Sequence, residues 1–178
     1  MRRLLPVDKE SDIPPACFRG PIGDLLRFHN LGFPLPEVRR AELLIGMCMD
    51  NRKSLRIPDN FAFILRAGGA NLRYSEFKVS YAVAVGGVRH IALLGHTECG
   101  MVNLVSRQRA IVEGLVEVGW DRQAAEDHFL HFAPMFEIGN EVDFVLSETK
   151  RLRARYPRLS VAPLIHKVDD NRLYALEE

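Results

Sequence analysis

Short, uninterrupted apolar runs separated by segments of helical periodicity constrain this chain more than any other feature. Leu43-Leu44-Ile45-Gly46-Met47, Phe61-Ala62-Phe63-Ile64-Leu65 and Ile91-Ala92-Leu93-Leu94 carry no polar residue, and a similar stretch covers residues 159–165. Runs this short are too brief for buried helices and suit strands covered on both faces. Between them, Ser75 is placed to cap a helix in which Phe77, Tyr81 and Val85 recur at four-residue steps until Gly86-Gly87 stops it. Further helices are expected over about 100–109, over 121–133 ending at Pro134, and from Asn140 to Tyr156-Pro157. In the last of these Val142, Val145, Leu146, Thr149 and Leu152 form the inner stripe. Asp169-Asp170-Asn171 can turn the chain into a short return at residues 173–176. Strand alternating with helix predicts an α/β fold: a mostly parallel central sheet of about four strands plus a short antiparallel C-terminal edge strand, with helices on both faces.

The first 40 residues break this rhythm. They hold six of the ten prolines and, apart from a short helix over residues 22–29, little periodicity. We expect residues 1–40 to form an N-terminal arm rather than core, and residues 41–178 to form one α/β domain. A chain of 178 residues can bury roughly 70% of its unfolded surface without staples. Its formal net charge of +1 offers nucleic acid or an anionic membrane no electrostatic attraction. No apolar run approaches the ~20 residues that span a bilayer. Acidic Asp8, Glu10 and Asp12 follow Arg2-Arg3 with no apolar core, so no secretory signal is expected. Three cysteines do not make a disulfide scaffold. Cys17 reads as a small buried apolar residue. A reducing cytoplasm suits the other two, which sit at metal-like positions.

Those two are Cys48, in Met47-Cys48-Met49-Asp50-Asn51-Arg52, and Cys99, in Gly95-His96-Thr97-Glu98-Cys99-Gly100. Cys48 follows the first predicted strand and His96 the third. Ligands of open α/β sheets bind beyond the carboxyl ends of the strands, so both groups are expected at one sheet edge. Cys48, His96 and Cys99 offer two thiolates and an imidazole, a donor set for one Zn2+ ion. Structural zinc sites close with four protein ligands, whereas catalytic ones keep a position open. Asp50 can occupy that fourth position or stay off the metal and accept a hydrogen bond from a hydroxide there, since an ionised carboxylate only accepts. Arg52 can hold Asp50 off the metal through a bidentate pair. Elsewhere, His128 and His131 stand three apart on a helix without a matched third ligand and read as packed or surface imidazoles. His29, His90 and His166 show no pattern of partners. Lys150-Arg151-Leu152-Arg153-Ala154-Arg155 complements a helix C-terminus.

At these residues the chain resembles the beta-class carbonic anhydrases, whose Cys-x-Asp-x-Arg loop and later His-x-x-Cys-Gly correspond to Cys48, Asp50, Arg52, His96, Cys99 and Gly100. The resemblance implies one zinc on Cys48, His96 and Cys99, with Asp50 as exchangeable fourth ligand and Arg52 as its dyad partner. It implies reversible hydration of carbon dioxide to bicarbonate by zinc-bound hydroxide, with the Gly100 amide facing the substrate. It further implies a homodimer or higher even oligomer, and that residues 1–40 are a shortened form of an exchanged arm. Some relatives act on carbon disulfide or carbonyl sulfide, and a non-catalytic, zinc-stabilised regulatory protein is a third reading. The chain departs from the pattern at Asn51, where Ser is usual, and at Arg66-Ala67-Gly68-Gly69-Ala70-Asn71, where Arg-Asn-Ala-Gly-Asn is common. No glutamine precedes Cys48. These departures are expected to bear on rate and substrate preference, and to leave the metal ligands intact.

Overall fold

The expected runs become the four parallel strands of a six-stranded sheet in the computed structural model, which describes residues 4–52, 55 and 57–178. In chain order the strands are β1 (Leu4–Leu5), β2 (Leu43–Met47), β3 (Ala62–Arg66), β4 (His90–His96), β5 (Ser160–Lys167) and β6 (Arg172–Leu176). The helices are α1 (Pro15–Phe18), α2 (Pro21–Leu31), α3 (Glu76–Ala84), α4 (Gln108–Glu117), α5 (Arg122–Phe136) and α6 (Glu141–Arg155). The spatial order is β1-β6-β5-β4-β2-β3, with β2 parallel to both β3 and β4, and β4 parallel to β5. β6 returns antiparallel to β5 and β1 antiparallel to β6.

The two-residue period of a strand explains why the central runs are apolar throughout. Leu43, Ile45 and Met47 join Ala92, Leu94 and Leu164 on one face, where Ile22, Leu25 and Leu26 of α2 pack. Leu44, Ile91, Leu93 and Ile165 point to the other face, against Val79 of α3 and Val145, Leu146 and Leu152 of α6. Helix α6 is started by Asn140, whose Oδ1 accepts from the amides of Val142 and Asp143 at 3.0 and 3.1 Å. It lies so close to β4 that a Cβ on Gly95 would stand 2.6 Å from Cγ2 of Val145. A glycine one residue before His96 therefore lets α6 seat against the end of β4.

Five features differ from expectation. Strand β3 is not covered on both faces, because it ends the sheet and leaves Phe63 and Ile64 exposed. Phe77, Tyr81 and Val85 face outward, 83%, 56% and 61% exposed, while Val79 and Ala82 turn inward. The segment Glu76–Ala84 has two apolar stripes, and spacing alone does not say which one meets a sheet; the Ser75 side chain makes no cap bond. The helix expected over 100–109 starts only at Gln108, because Asn103 takes a left-handed φ of 53° and a 3-10 turn covers Leu104–Arg107. Helix α5 runs past Pro134 to Phe136. A proline in a last turn frees one carbonyl, here that of exposed Leu130, which water can satisfy. Finally, the segment read as an arm supplies Val7, Ile13, Cys17, Ile22, Leu25 and Leu26 to the core of its own chain. Strand β1, two residues long, is too short to leave a periodic signal. Among the described residues no helix is long and apolar enough to cross a membrane.

Candidate metal centre

Strands β2 and β4 are neighbours in register, Met47 opposite Leu94, so their carboxyl ends lie side by side. Cys48 is the first residue beyond β2, His96 the last of β4, and Cys99 follows three residues later. All three side chains are buried, and their donor atoms lie within 4.8 Å of one another. The sulfurs are 4.0 Å apart. Two sulfurs bound to one tetrahedral zinc would stand about 3.8 Å apart. The imidazole is oriented to match. Its Nδ1 lies 2.9 Å from the carbonyl oxygen of Thr97, which can only accept, so Nδ1 carries the proton and Nε2 a lone pair. That Nε2 is buried with no hydrogen-bond partner. A buried orphan lone pair beside two sulfurs is the arrangement a zinc ion would satisfy, and no other cluster of this kind occurs among the described residues.

The surroundings favour the deprotonated ligand. The hydrogen bond with Cys99 holds the Cys48 thiol far below its ordinary range against the opposing effect of burial, with smaller help from His96 and the amides of Asp50 and Gly69. The Gly69 amide donates to Cys48 Sγ at 3.3 Å. Gly69 has φ +62° within the 3-10 turn Gly68–Ala70, and a Cβ there would press to 3.2 Å from Ile138. The departure at residues 66–71 thus delivers a backbone donor to the first sulfur. Arg66, at the end of β3, donates to the Cys48 carbonyl at 3.2 Å.

Asp50 and Arg52 are hydrogen-bonded to each other. Arg52 Nε lies 3.1 and 3.2 Å from the two Asp50 oxygens and Nη2 lies 2.8 Å from Oδ2, while the Arg52 amide donates to Oδ1 at 2.9 Å. These bonds from Arg52 keep the Asp50 carboxyl well below the usual carboxylate range despite its partial burial, and Asp50 raises Arg52 in turn. Asp50 Oδ2 is 3.9 Å from His96 Nε2, beyond a hydrogen bond but beside the donor cluster. Gly100 is half-buried, and a Cβ placed on it would meet no atom within 4 Å. Asn51 is exposed in the turn.

Two acidic residues at the centre carry no role in the sequence reading. Glu98 accepts from Arg52 through its carboxylate and its carbonyl. Its position between His96 and Cys99 was the available signal. Glu141 accepts the Cys99 amide at 3.1 Å from 42 residues downstream, and no local pattern reports such a contact. The histidines without a sequence pattern lie elsewhere. His29 contacts the Asn171 carbonyl at 2.8 Å, and its ring lies tilted against that of His166 with centroids 5.9 Å apart. His128 lies against Trp120 and Phe132, in a cleft of about 480 Å³ whose walls include Met49, Gly68, Met101 and Phe129. Met49 and Gly68 adjoin Cys48 and Gly69, so this apolar cleft borders the donor cluster.

A family model described as "Carbonic anhydrase" matches residues 47–134, the segment holding all three donors. Among solved structures, a beta-carbonic anhydrase isoform I from the protozoan Trichomonas vaginalis superposes with a TM-score of 0.64 at 16% identity, over 83% of this chain and 90% of that one. A carbonic anhydrase from Glaciozyma antarctica gives 0.61 at 19% identity, over 79% and 85%. The apo form of a carbon disulfide hydrolase gives 0.55 at 17% identity, over 85% and 84%. At such identities these likenesses are of fold. No curated protein sequence matches the chain.

Proposed function

Because the chain belongs to the carbonic anhydrase family through residues 47–134 and has that family's beta-class sheet, we propose that it is a zinc enzyme hydrating carbon dioxide reversibly to bicarbonate and a proton. The observation that carries this reading is the buried Cys48–His96–Cys99 cluster with an arginine-held carboxylate 3.9 Å from its one orphan nitrogen. Cys48, His96 and Cys99 would hold one zinc per chain. When bound, zinc lowers the pKa of a coordinated water towards neutrality and so supplies the nucleophile.

The protein's own groups do the rest. Thr97 fixes the tautomer that leaves His96 Nε2 free, and Gly69 stabilises Cys48 as thiolate. Asp50, ionised beside Arg52, can only accept, and would orient the nucleophile by accepting a hydrogen bond from it. Rotated towards His96, the same carboxylate would occupy the fourth ligand position and stop the reaction. Arg52 sets which of these positions Asp50 holds. The open space where a Gly100 side chain would stand gives a substrate room beside the Gly100 backbone, whose amide would face it, and the product proton passes to buffer.

Stopped-flow hydration with the zinc-loaded protein between pH 7 and 9 tests the proposal. We expect a rate well above buffer; a zinc-replete protein with none would leave the non-catalytic reading. The cleft lined by Met49, Met101 and Phe129 favours one further substrate class, the apolar carbon disulfide or carbonyl sulfide, and comparing turnover of these with carbon dioxide separates the two. We also propose that two copies associate. The outward face of α3 with Phe63 and Ile64 of edge strand β3 offers an apolar surface for this, and the N-terminal segment can add contacts. A reducing cytoplasm is the compartment in which Cys48 and Cys99 would remain ligands.

A further inference from the structure

Arg52 is held along two edges, and one of the holders has no part in the dyad. Nε and Nη2 form one edge of the planar guanidinium and both address Asp50. The remaining edge addresses Glu98: Nη1 donates to Oε2 at 3.1 Å and Nη2 to the carbonyl oxygen at 2.9 Å. A rigid planar group pinned along two edges cannot turn about its stem, whereas one pinned along a single edge can swing with its carboxylate partner. Glu98 lies between His96 and Cys99, so Arg52 also ties the loop of the first donor to the loop of the other two. Its backbone is left-handed, φ 58°, a conformation a residue with a side chain adopts when its surroundings hold it there. The Glu98 side chain is 65% exposed, so as an ion pair it adds little stability. Its effect is on orientation.

We propose that Glu98 is a positioning residue that holds Arg52 in the pose from which Arg52 keeps Asp50 off the fourth metal position, making the working unit Asp50–Arg52–Glu98. This rests on the zinc-enzyme reading above. Without the Glu98 carboxylate, Arg52 would follow Asp50 towards His96 and the fourth position would close more often.

The test uses cobalt(II)-substituted protein with azide, an inorganic anion that competes for the fourth position, and reads affinity from the visible spectrum. Glu98→Asn suits the left-handed backbone, keeps the carbonyl contact and withdraws the longer side chain; Glu98→Gly serves if that variant does not fold. We expect either to weaken azide binding at least fivefold with full metal content, and Glu98→Gln, which retains an acceptor for Nη1, to stay within twofold of the parent. In the metal-free protein the Arg52 Nε–H resonance should exchange faster in Glu98→Asn than in the parent. Parent-like azide affinity in Glu98→Asn or Glu98→Gly would overturn the proposal. Arg52→Ala separates the two levels. If it too leaves azide affinity unchanged, the Asp50–Arg52 reading fails; if it weakens binding while the Glu98 variants do not, only the role of Glu98 fails.

Discussion

Arg52 gives one whole edge of its guanidinium, Nε and Nη2, to a residue two positions away, and that local contact made the pair legible before any fold was known. A carboxylate two residues from an arginine, both just after a cysteine that ends a strand, needs no long-range information to meet. The consequence is a prediction: Arg52→Ala frees Asp50, and stopped-flow hydration should fall about ten- to a hundredfold, equivalent to ~1.4–2.7 kcal/mol of barrier, while metal analysis shows the zinc retained. A second residue titrates where the fold forces it to. Burial lowers the pKa of His29 from its ordinary 6.5, against a smaller upward effect of the Asn171 carbonyl. The unfolded chain therefore takes up this proton more readily than the native one. The stability it contributes is complete above pH 6.5 and is lost as the pH falls through the lower native value. Urea midpoints measured from pH 7.5 to 5 should drop less steeply for His29→Gln than for the parent; equal slopes would refute this. Nothing in the sequence near His29 announced that contact, because Asn171 lies 142 residues away.

Helices were legible where one stripe alone is apolar and ambiguous where two are. Strands β2 and β4 and helix α6 declared themselves, the strands because both faces are covered and the helix because Asn140 caps it and its apolar stripe is single. Helix α3 did not, and its Phe77 stripe went to solvent in favour of smaller Val79 and Ala82. Helix α6 hides a second point that a hydrophobicity pattern cannot carry. Glu148 is fully buried on its inner face, bonded by Arg151 at 2.8 Å through both oxygens and by Arg73 at 3.3 Å. Arg151 also reaches Glu76 at 2.8 Å and so joins α6 to α3. Removing Arg151 strands a buried carboxylate with one weaker partner. Arg151→Met should cost about 3 kcal/mol, the low end for breaking a buried pair since Arg73 remains, measured by urea unfolding. Restoring neutrality with Glu148→Gln in the same chain should recover part of it.

At the scale of the whole molecule, the sheet ends at β3 with an unpaired edge and the apolar side chains of Phe63, Ile64, Phe77, Tyr81 and Val85 exposed beside it. Charge and length hold no trace of this patch, because it arises from packing α3 with its larger stripe outward. If two copies associate there, a charge in its centre should separate them. Sedimentation velocity should find the parent as a dimer and Phe77→Glu shifted to monomer at micromolar concentration, with zinc content unchanged. A Phe77→Glu dimer as tight as the parent's would place the association elsewhere, the N-terminal segment being the next candidate.

By itself the sequence determined which chemical groups meet. Cys48 and His96 are joined covalently to the carboxyl ends of parallel strands, so both emerge at one edge of the sheet, and the pairing of β2 with β4 brings them together. The Asp50–Arg52 pair follows from adjacency alone. The tertiary structure decided what surrounds those groups: the Gly69 amide on the first sulfur, Glu98 on the far edge of Arg52, Glu141 on the Cys99 amide, and the packing of residues 4–40 onto the sheet. The physical reason is common to all four. Each depends on a turn geometry or a contact between segments distant in sequence, and neither leaves a periodicity, a charge pattern or a composition that the linear chain displays.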